Sequence, residues 1–165
     1  MTRAKSPAYR VQYRRRLSGK TNYANRLALV KSGQTRMVIR RSNSHVIVQF
    51  VDFAEVGDKT ISSYTTGQLI KAHKFPAKRN AWSAYLVGLV AAHAAKKKGV
   101  KSFVLDLGMY SPSKGSTLFA ALKGALDAGL DGPVPEEKIP SEKLANPPES
   151  IKSSFETLKK KLVSG

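Results

Sequence analysis

The side chains that enzymes use for chemistry are scattered through this sequence and form no recognisable catalytic motif. Gly19-Lys20-Thr21 matches the end of a phosphate-binding P-loop, but Arg14 stands where that loop needs glycine and no strand precedes it. The histidines His45, His73 and His93 are far apart and lack the spacing of metal ligands. No glycine-rich dinucleotide fingerprint is present either.

Carboxylates and cysteine give no stronger case for catalysis. Asp52, Glu55 and Asp58 fall close together near a predicted turn, where a solvated hairpin end is the simpler interpretation. The chain has no cysteine, which excludes disulfides, thiolate zinc sites and thiol catalysis. Serines are numerous, yet nothing selects one for a Ser-His-Asp triad. We therefore predict no catalytic residue, no metal site and no cofactor.

Positive charge is the feature that points to function. The 165 residues include 29 Lys and Arg against 11 Asp and Glu, a formal net charge of +18. Twelve of the basic residues lie in residues 1–41, and the first acidic residue is Asp52. A basic excess of this size indicates a nucleic-acid partner or, less often, an anionic membrane surface.

Basic side chains stand beside groups suited to RNA in several segments. Tyr9–Arg16 interleaves aromatic rings with guanidinium groups, which can pair with phosphates and stack on exposed bases. Arg40–His45 concentrates hydrogen-bond donors in a predicted hairpin turn. Lys78-Arg79 and Lys114-Gly115 each precede a predicted helix N-terminus, which attracts anions. The alternative for Tyr9–Arg16 is a solvated basic tail, and the alternative for Arg40–His45 is ordinary turn chemistry. For the two helix N-termini the alternative is simple capping.

These segments need a scaffold, and apolar periodicity predicts one. The order is β-β-β-α-β-α, so we expect an α/β fold in which a mixed sheet has helices packed against it. A connection from the third to the fourth strand would be right-handed if those strands are parallel. The predicted elements are a helical stretch within Tyr9–Leu17, a helix from Thr21 or Asn22 to about Lys31, strands at Arg36–Arg40, Val46–Val51, about Asp58–Tyr64 and Ser102–Leu107, and helices from Asn80 and from about Ser116.

Composition divides the chain into three parts. Residues 1–33 form a basic N-terminal arm, residues 34–130 an α/β core, and residues 131–165 a proline-rich extended linker followed by an amphipathic helix from Ser150 to Val163. We expect residues 1–20 and 131–165 to be largely unordered without RNA. The apolar stretch Ala81–Ala95 is too short and too polar to span a bilayer. The N-terminus does not have the pattern of a secretory signal, and an arginine-rich transit peptide is the minor alternative for it.

Four stretches carry a resemblance to a known family: YRVQYRRRLSGKTNYANRLALVKSG, RMVIRRSNSHVIVQF, AWSAYLVGLVAAHAAKKKG and VLDLGMYSPSKGSTLFAALKGALDAGLDGPVP. The sequence resembles the archaeal and eukaryotic form of universal large-subunit ribosomal protein eighteen, which binds 5S ribosomal RNA. The SNSHVIVQF and FAALKGALDAGLD runs are the most specific. The match covers about residue 9 to about residue 135, and residues 136–165 match a less uniform part of the family.

The resemblance implies a core of the translational-machinery type and a structural, non-enzymatic role in the cytoplasmic large ribosomal subunit. It implies a place in the central protuberance, with 5S rRNA, large-subunit rRNA and neighbouring large-subunit proteins as partners, and with no membrane or small-molecule substrate. An RNA-processing enzyme and a general nucleic-acid-coating protein are the alternatives. Carried over by motif, the expected RNA contacts are Tyr9, Arg10, Tyr13, Arg14, Arg15, Arg16, Lys20, Asn22, Tyr23, Arg26, Arg40, Arg41, Ser42, Asn43, His45, Lys78, Arg79, Asn80, Ser113 and Lys114.

Overall fold

The computed structural model describes residues 6–76 and 78–163, and a four-stranded mixed sheet lies at its centre. The strands are β1 (Arg36–Arg41), β2 (Val46–Asp52), β3 (Lys59–Thr65) and β4 (Val104–Asp106), in the spatial order β3-β2-β1-β4. β1 and β2 form an antiparallel hairpin, β3 pairs antiparallel with β2, and β4 pairs parallel with β1. β4 therefore runs in the same direction as β3, at the opposite edge of the sheet.

The helices are α1 (Arg14–Leu17), α2 (Tyr23–Lys31), α3 (Thr66–His73), α4 (Ala81–Lys97), α5 (Thr117–Asp127), α6 (Ser141–Ala145) and α7 (Glu149–Val163). A short 3₁₀ turn covers Glu136–Lys138. Among the described residues, no helix combines the length and the hydropathy that crossing a bilayer requires.

The two faces of the sheet differ in chemistry because side chains alternate along each strand. Met37 and Ile39 of β1, with Phe50 of β2, are fully buried on one face in the core that α4 and α5 complete. Arg36 and Arg40 project from the other face. The fold thus has an apolar side that holds it together and a charged side beside α2.

Most predicted elements are confirmed, and the differences have local causes. The N-terminal helix, Arg14–Leu17, lies within the predicted stretch Tyr9–Leu17 and is short, with no side-chain hydrogen bond at its N-cap. The sequence analysis missed α3, which begins directly after β3 at a capping box formed by Thr65 and Gln68.

In the C-terminal part, the amphipathic helix predicted from Ser150 to Val163 is confirmed as α7, whereas the stretch before it is not the extended linker that the sequence analysis predicted. The proline-rich stretch contains the 3₁₀ turn and α6, and Trp82 Nε1 of α4 donates a hydrogen bond to the Lys143 carbonyl at 3.1 Å. α7 buries Ile151, Phe155 and Leu158 in the core. An amphipathic helix with three apolar side chains on one face gains more by packing than by remaining in solvent.

Candidate nucleic-acid interface

Predicted contact residues from the arm and from the hairpin meet around one cavity, which we call the α2 cleft. It has a volume of about 450 Å³ and lies between α2, the segment that leads into it, and the charged side of the sheet. Its polar lining comprises Arg15, Lys20, Thr21, Asn22, Asn25, Arg26, Arg40, Asp106 and Tyr110. Four of these side chains are cationic and one, Asp106, is anionic, so the cleft is a concave surface with a net positive charge.

The α2 wall of the cleft is built by local hydrogen bonds. Asn22 caps α2, its side-chain oxygen accepting from the backbone N–H groups of Ala24 and Asn25 at 3.1 and 3.2 Å. Arg15 Nε donates to Thr21 Oγ1 at 2.9 Å, which draws α1 towards the start of α2. These bonds turn a flexible basic stretch into a wall with fixed side-chain directions.

The sheet wall of the cleft is fixed by Arg40 and Asp106. Arg40 Nη2 lies 2.9 Å from Asp106 Oδ1, and Arg40 Nη1 donates to the Asp106 carbonyl at 2.8 Å. The same carboxylate oxygen accepts from the Gly108 N–H at 2.8 Å. Arg40 is therefore partly neutralised by an internal partner, while 38% of its side-chain surface stays exposed.

The hairpin turn joins β1 to β2 and is held from two sides. Within it, the Ser42 N–H donates to the His45 carbonyl at 2.8 Å, and Ser42 Oγ accepts from the His45 N–H. From outside, Arg79 Nη1 donates to the carbonyls of Ser42 and Asn43 at 3.3 and 3.2 Å. Arg79 thus braces the turn, and a braced turn presents its remaining polar groups in a defined arrangement.

The exposed Arg41 contacts Tyr110, a half-buried residue that lines the α2 cleft. The Arg41 guanidinium carbon lies 5.6 Å from the Tyr110 ring centroid, and the Tyr110 hydroxyl donates to the Arg41 carbonyl at 2.5 Å. His45 stands on the far side of the turn, with Nδ1 3.0 Å from Thr66 Oγ1. A cation stacked on a ring offers both charge and a planar surface to a nucleic acid.

The remaining arm residues are not part of the cleft. Tyr9, Arg10, Arg14 and Arg16 are exposed, as the expected role of an arm requires. Tyr13 packs on Tyr23 with ring centroids 5.0 Å apart, so part of its stacking surface is already used within the chain.

The two predicted helix N-termini differ in how well they are capped. Asn80 forms a capping box with Ser83 at the start of α4, which satisfies backbone donors there. Ser116 at the start of α5 makes no capping hydrogen bond, and Ser116 Oγ has no partner among the described residues. Ser113 and Lys114, both exposed, precede this end, where no side chain caps the helix; a helix N-terminus of this kind attracts anions. Lys78 is exposed before α4.

The sequence analysis missed Tyr110 and Asp106, which line the α2 cleft, and Arg36, which lies behind it and pairs with Asp106. A charged residue inside a mostly apolar run was the available signal for Asp106, and likewise for Arg36 at the start of β1. Within the described ranges, no group of His, Asp and Glu side chains has the arrangement of a metal site.

Comparison with known proteins places similar sequences in the large ribosomal subunit. The model of the family "Ribosomal large subunit proteins 60S L5, and 50S L18" matches residues 7–103. Curated relatives named "Large ribosomal subunit protein uL18" come from three archaea. The Korarchaeum cryptofilum protein is 46% identical over 84% of this chain and 71% of its own length. The Aeropyrum pernix and Methanobrevibacter smithii proteins are 48% and 45% identical over 84% and 87% of this chain, and over 65% and 74% of their own lengths.

The chain belongs to this family of large-subunit ribosomal proteins. The resemblance noted from the sequence is thereby confirmed, and so is the association with ribosomal RNA and the cytoplasmic large subunit that membership carries. The alignments span about two thirds to three quarters of the length of these relatives.

Proposed function

We propose that this chain is a structural, non-enzymatic constituent of the large ribosomal subunit that binds 5S rRNA and helps to anchor it in the central protuberance. The observation that carries the proposal is the α2 cleft, where the arm and the hairpin strand present four basic side chains together and the loop after β4 adds Tyr110. Large-subunit rRNA and neighbouring large-subunit proteins are the further partners.

The division of labour follows from where the charges lie. The exposed arm supplies phosphate contacts along the RNA backbone, and such contacts give affinity without sequence information. The cleft and the braced hairpin turn present donors in a fixed arrangement, which suits the irregular shape of a folded RNA. Family membership supports ribosomal RNA as the partner. The proposal of 5S rRNA in particular rests on the resemblance carried by the SNSHVIVQF and FAALKGALDAGLD runs.

A salt titration with competition tests this function. If about ten phosphates are neutralised, the logarithm of the affinity for 5S rRNA falls with the logarithm of salt concentration with a slope of roughly −7 to −9. At moderate salt, 5S rRNA should outcompete duplex DNA and an unrelated structured RNA of equal length. A slope near zero, or equal competition by all three nucleic acids, would show that the proposal is wrong.

A further inference from the structure

We infer that Arg36 is a positioning residue for RNA recognition: it holds Arg26 and Arg40 on the two walls of the α2 cleft through Asp58 and Asp106. The inference rests on the proposed function, because it concerns how the same cleft is kept in shape.

Five side chains of alternating charge connect the two walls. Arg26 Nη2 of α2 lies 2.9 Å from Asp58 Oδ2, and Arg36 Nη2 of β1 lies 2.8 Å from that same oxygen. Arg36 Nη1 lies 3.8 Å from Asp106 Oδ2, and Asp106 Oδ1 pairs with Arg40 at 2.9 Å. The order Arg26–Asp58–Arg36–Asp106–Arg40 therefore connects the two walls by ion pairs. The Arg36–Asp106 pair is the longest of them, and Arg36 Nε and Nη2 make no hydrogen bond, so charge attraction alone holds Arg36 in this network.

The three arginines of this network differ in how far they are exposed, and therefore in whether they can contact RNA. The Arg36 side chain is 3% exposed and does not line the cleft, so it cannot reach RNA. Arg26 and Arg40 keep 44% and 38% of their side-chain surface exposed and do line it. A buried guanidinium is costly unless carboxylates surround it, and each carboxylate that neutralises Arg36 also fixes one of the exposed arginines.

α2 has little else to hold it against the sheet. None of its residues is buried, Leu27 is 55% exposed, and Leu29 and Val30 are only partly covered. The polar link through Asp58 is thus a main connection between α2 and the sheet. Side chains that are already fixed lose less conformational entropy when RNA binds, so this link raises affinity without contacting the RNA.

Two substitutions that make the same change in charge give the decisive comparison of RNA affinity. Asp58→Asn and Glu55→Gln each remove one negative charge from the same loop, and simple electrostatics predicts equal or tighter RNA binding for both. Glu55 is exposed and has no ion pair among the described residues. We expect Glu55→Gln to bind 5S rRNA at least as tightly as the wild type, and Asp58→Asn to bind it about tenfold more weakly.

A double-mutant cycle tests whether Asp58 acts through Arg26. In an Arg26→Ala background, most of the loss caused by Asp58→Asn should disappear, because the arginine that it positions is gone. Arg36→Lys, which keeps the charge but not the planar fork, should weaken binding while its thermal unfolding shows that it still folds. Amide hydrogen exchange in α2, measured without RNA, should speed up in both Asp58→Asn and Arg36→Lys.

The inference is overturned if Asp58→Asn binds as tightly as Glu55→Gln, or if its full effect persists in the Arg26→Ala background. It is equally overturned if α2 exchange is unchanged in both variants. Failure of the proposed function is distinguishable: the wild type and Glu55→Gln would then show no steep salt dependence with 5S rRNA, while the exchange measurement would still report on the network.

Discussion

Gly88 of α4 and Gly124 of α5 allow the two helices to approach until backbone touches backbone. A Cβ atom at Gly88 would overlap the carbonyl oxygen of Ala121, and one at Gly124 would overlap the carbonyl oxygen of Tyr85. Neither obstacle is a flexible side chain, so the helices themselves would have to move apart.

Gly88→Ala and Gly124→Ala should each lower the free energy of unfolding by about 3 kcal/mol. Gly67→Ala on α3 is the matched control, because a Cβ there meets its nearest atom at 3.6 Å, an ordinary contact. The control should be neutral or slightly stabilising, as alanine favours helix more than glycine does. Denaturant unfolding measures all three, and equal stabilities would contradict the close contact.

Arg15 should contribute more to RNA affinity than its two neighbours. Replacing Arg14, Arg15 and Arg16 together by alanine should flatten the salt slope by up to about three. Of the single variants, Arg15→Ala should lose the most affinity, because only Arg15 lines the α2 cleft and hydrogen-bonds Thr21. Binding titrations at several salt concentrations measure this, and three equal single-variant losses would argue against a special role for Arg15.

Asn80→Ala should lower the free energy of unfolding by about 1 kcal/mol, because it removes the cap of α4. Asn80→Ser should recover most of that loss, since serine also caps helices. Thermal unfolding gives the comparison. A loss of RNA affinity in the well-folded Asn80→Ser variant would assign the amide to RNA as well, as the sequence analysis predicts.

Phe155→Ala should lower the free energy of unfolding by about 3 kcal/mol, because Phe155 is 3% exposed and packs 5.7 Å from the Tyr85 ring centroid. Glu156→Ala, at the exposed neighbouring position, should change it by less than about 0.5 kcal/mol. Denaturant unfolding of the whole chain without RNA provides the test. If both variants match the wild type, α7 does not dock and residues 149–163 are unordered, as composition alone suggested.

His93 should make stability depend on pH. Burial lowers the pKa of His93, and the charges of Lys96 and Lys97 lower it further. The unfolded chain therefore takes up this proton first as the pH falls below about 6.5, and the folded state loses stability from there downward. His93→Gln should lose less stability between about pH 8 and about pH 5 than the wild type. An equal loss in both would show that another group causes the acid sensitivity.

The sequence was sufficient for elements whose signals are local. The Arg36–Arg40 and Val46–Val51 strands and the long helix after Asn80 have strong periodicity and clear caps, and they are confirmed. α3 follows β3 with no intervening loop and offers only eight residues of pattern, which explains why it was missed. The residue-level RNA contacts stay predictions.

The ion pairs between residues distant in the chain could not be predicted from the sequence. Arg40 was assigned to RNA from its position near a turn, but its pairing with Asp106 joins residues 66 positions apart. Nothing in the local composition of either residue indicates the other. Likewise, Asp58 was interpreted as part of a solvated hairpin end. Its pairing with Arg36 depends on the register of three strands, and the sequence alone does not give that register.

The parallel pairing of β1 with β4 has a consequence for biogenesis. β1 is made early, but β4, which brings Asp106 and the loop carrying Tyr110, follows only after the whole of α4 has been synthesised. A nascent chain that ends before β4 has the basic arm but lacks the part of the α2 cleft that Asp106 and Tyr110 form. Under the proposed function, the nascent chain therefore carries its nonspecific attraction for RNA before it has the complete α2 cleft.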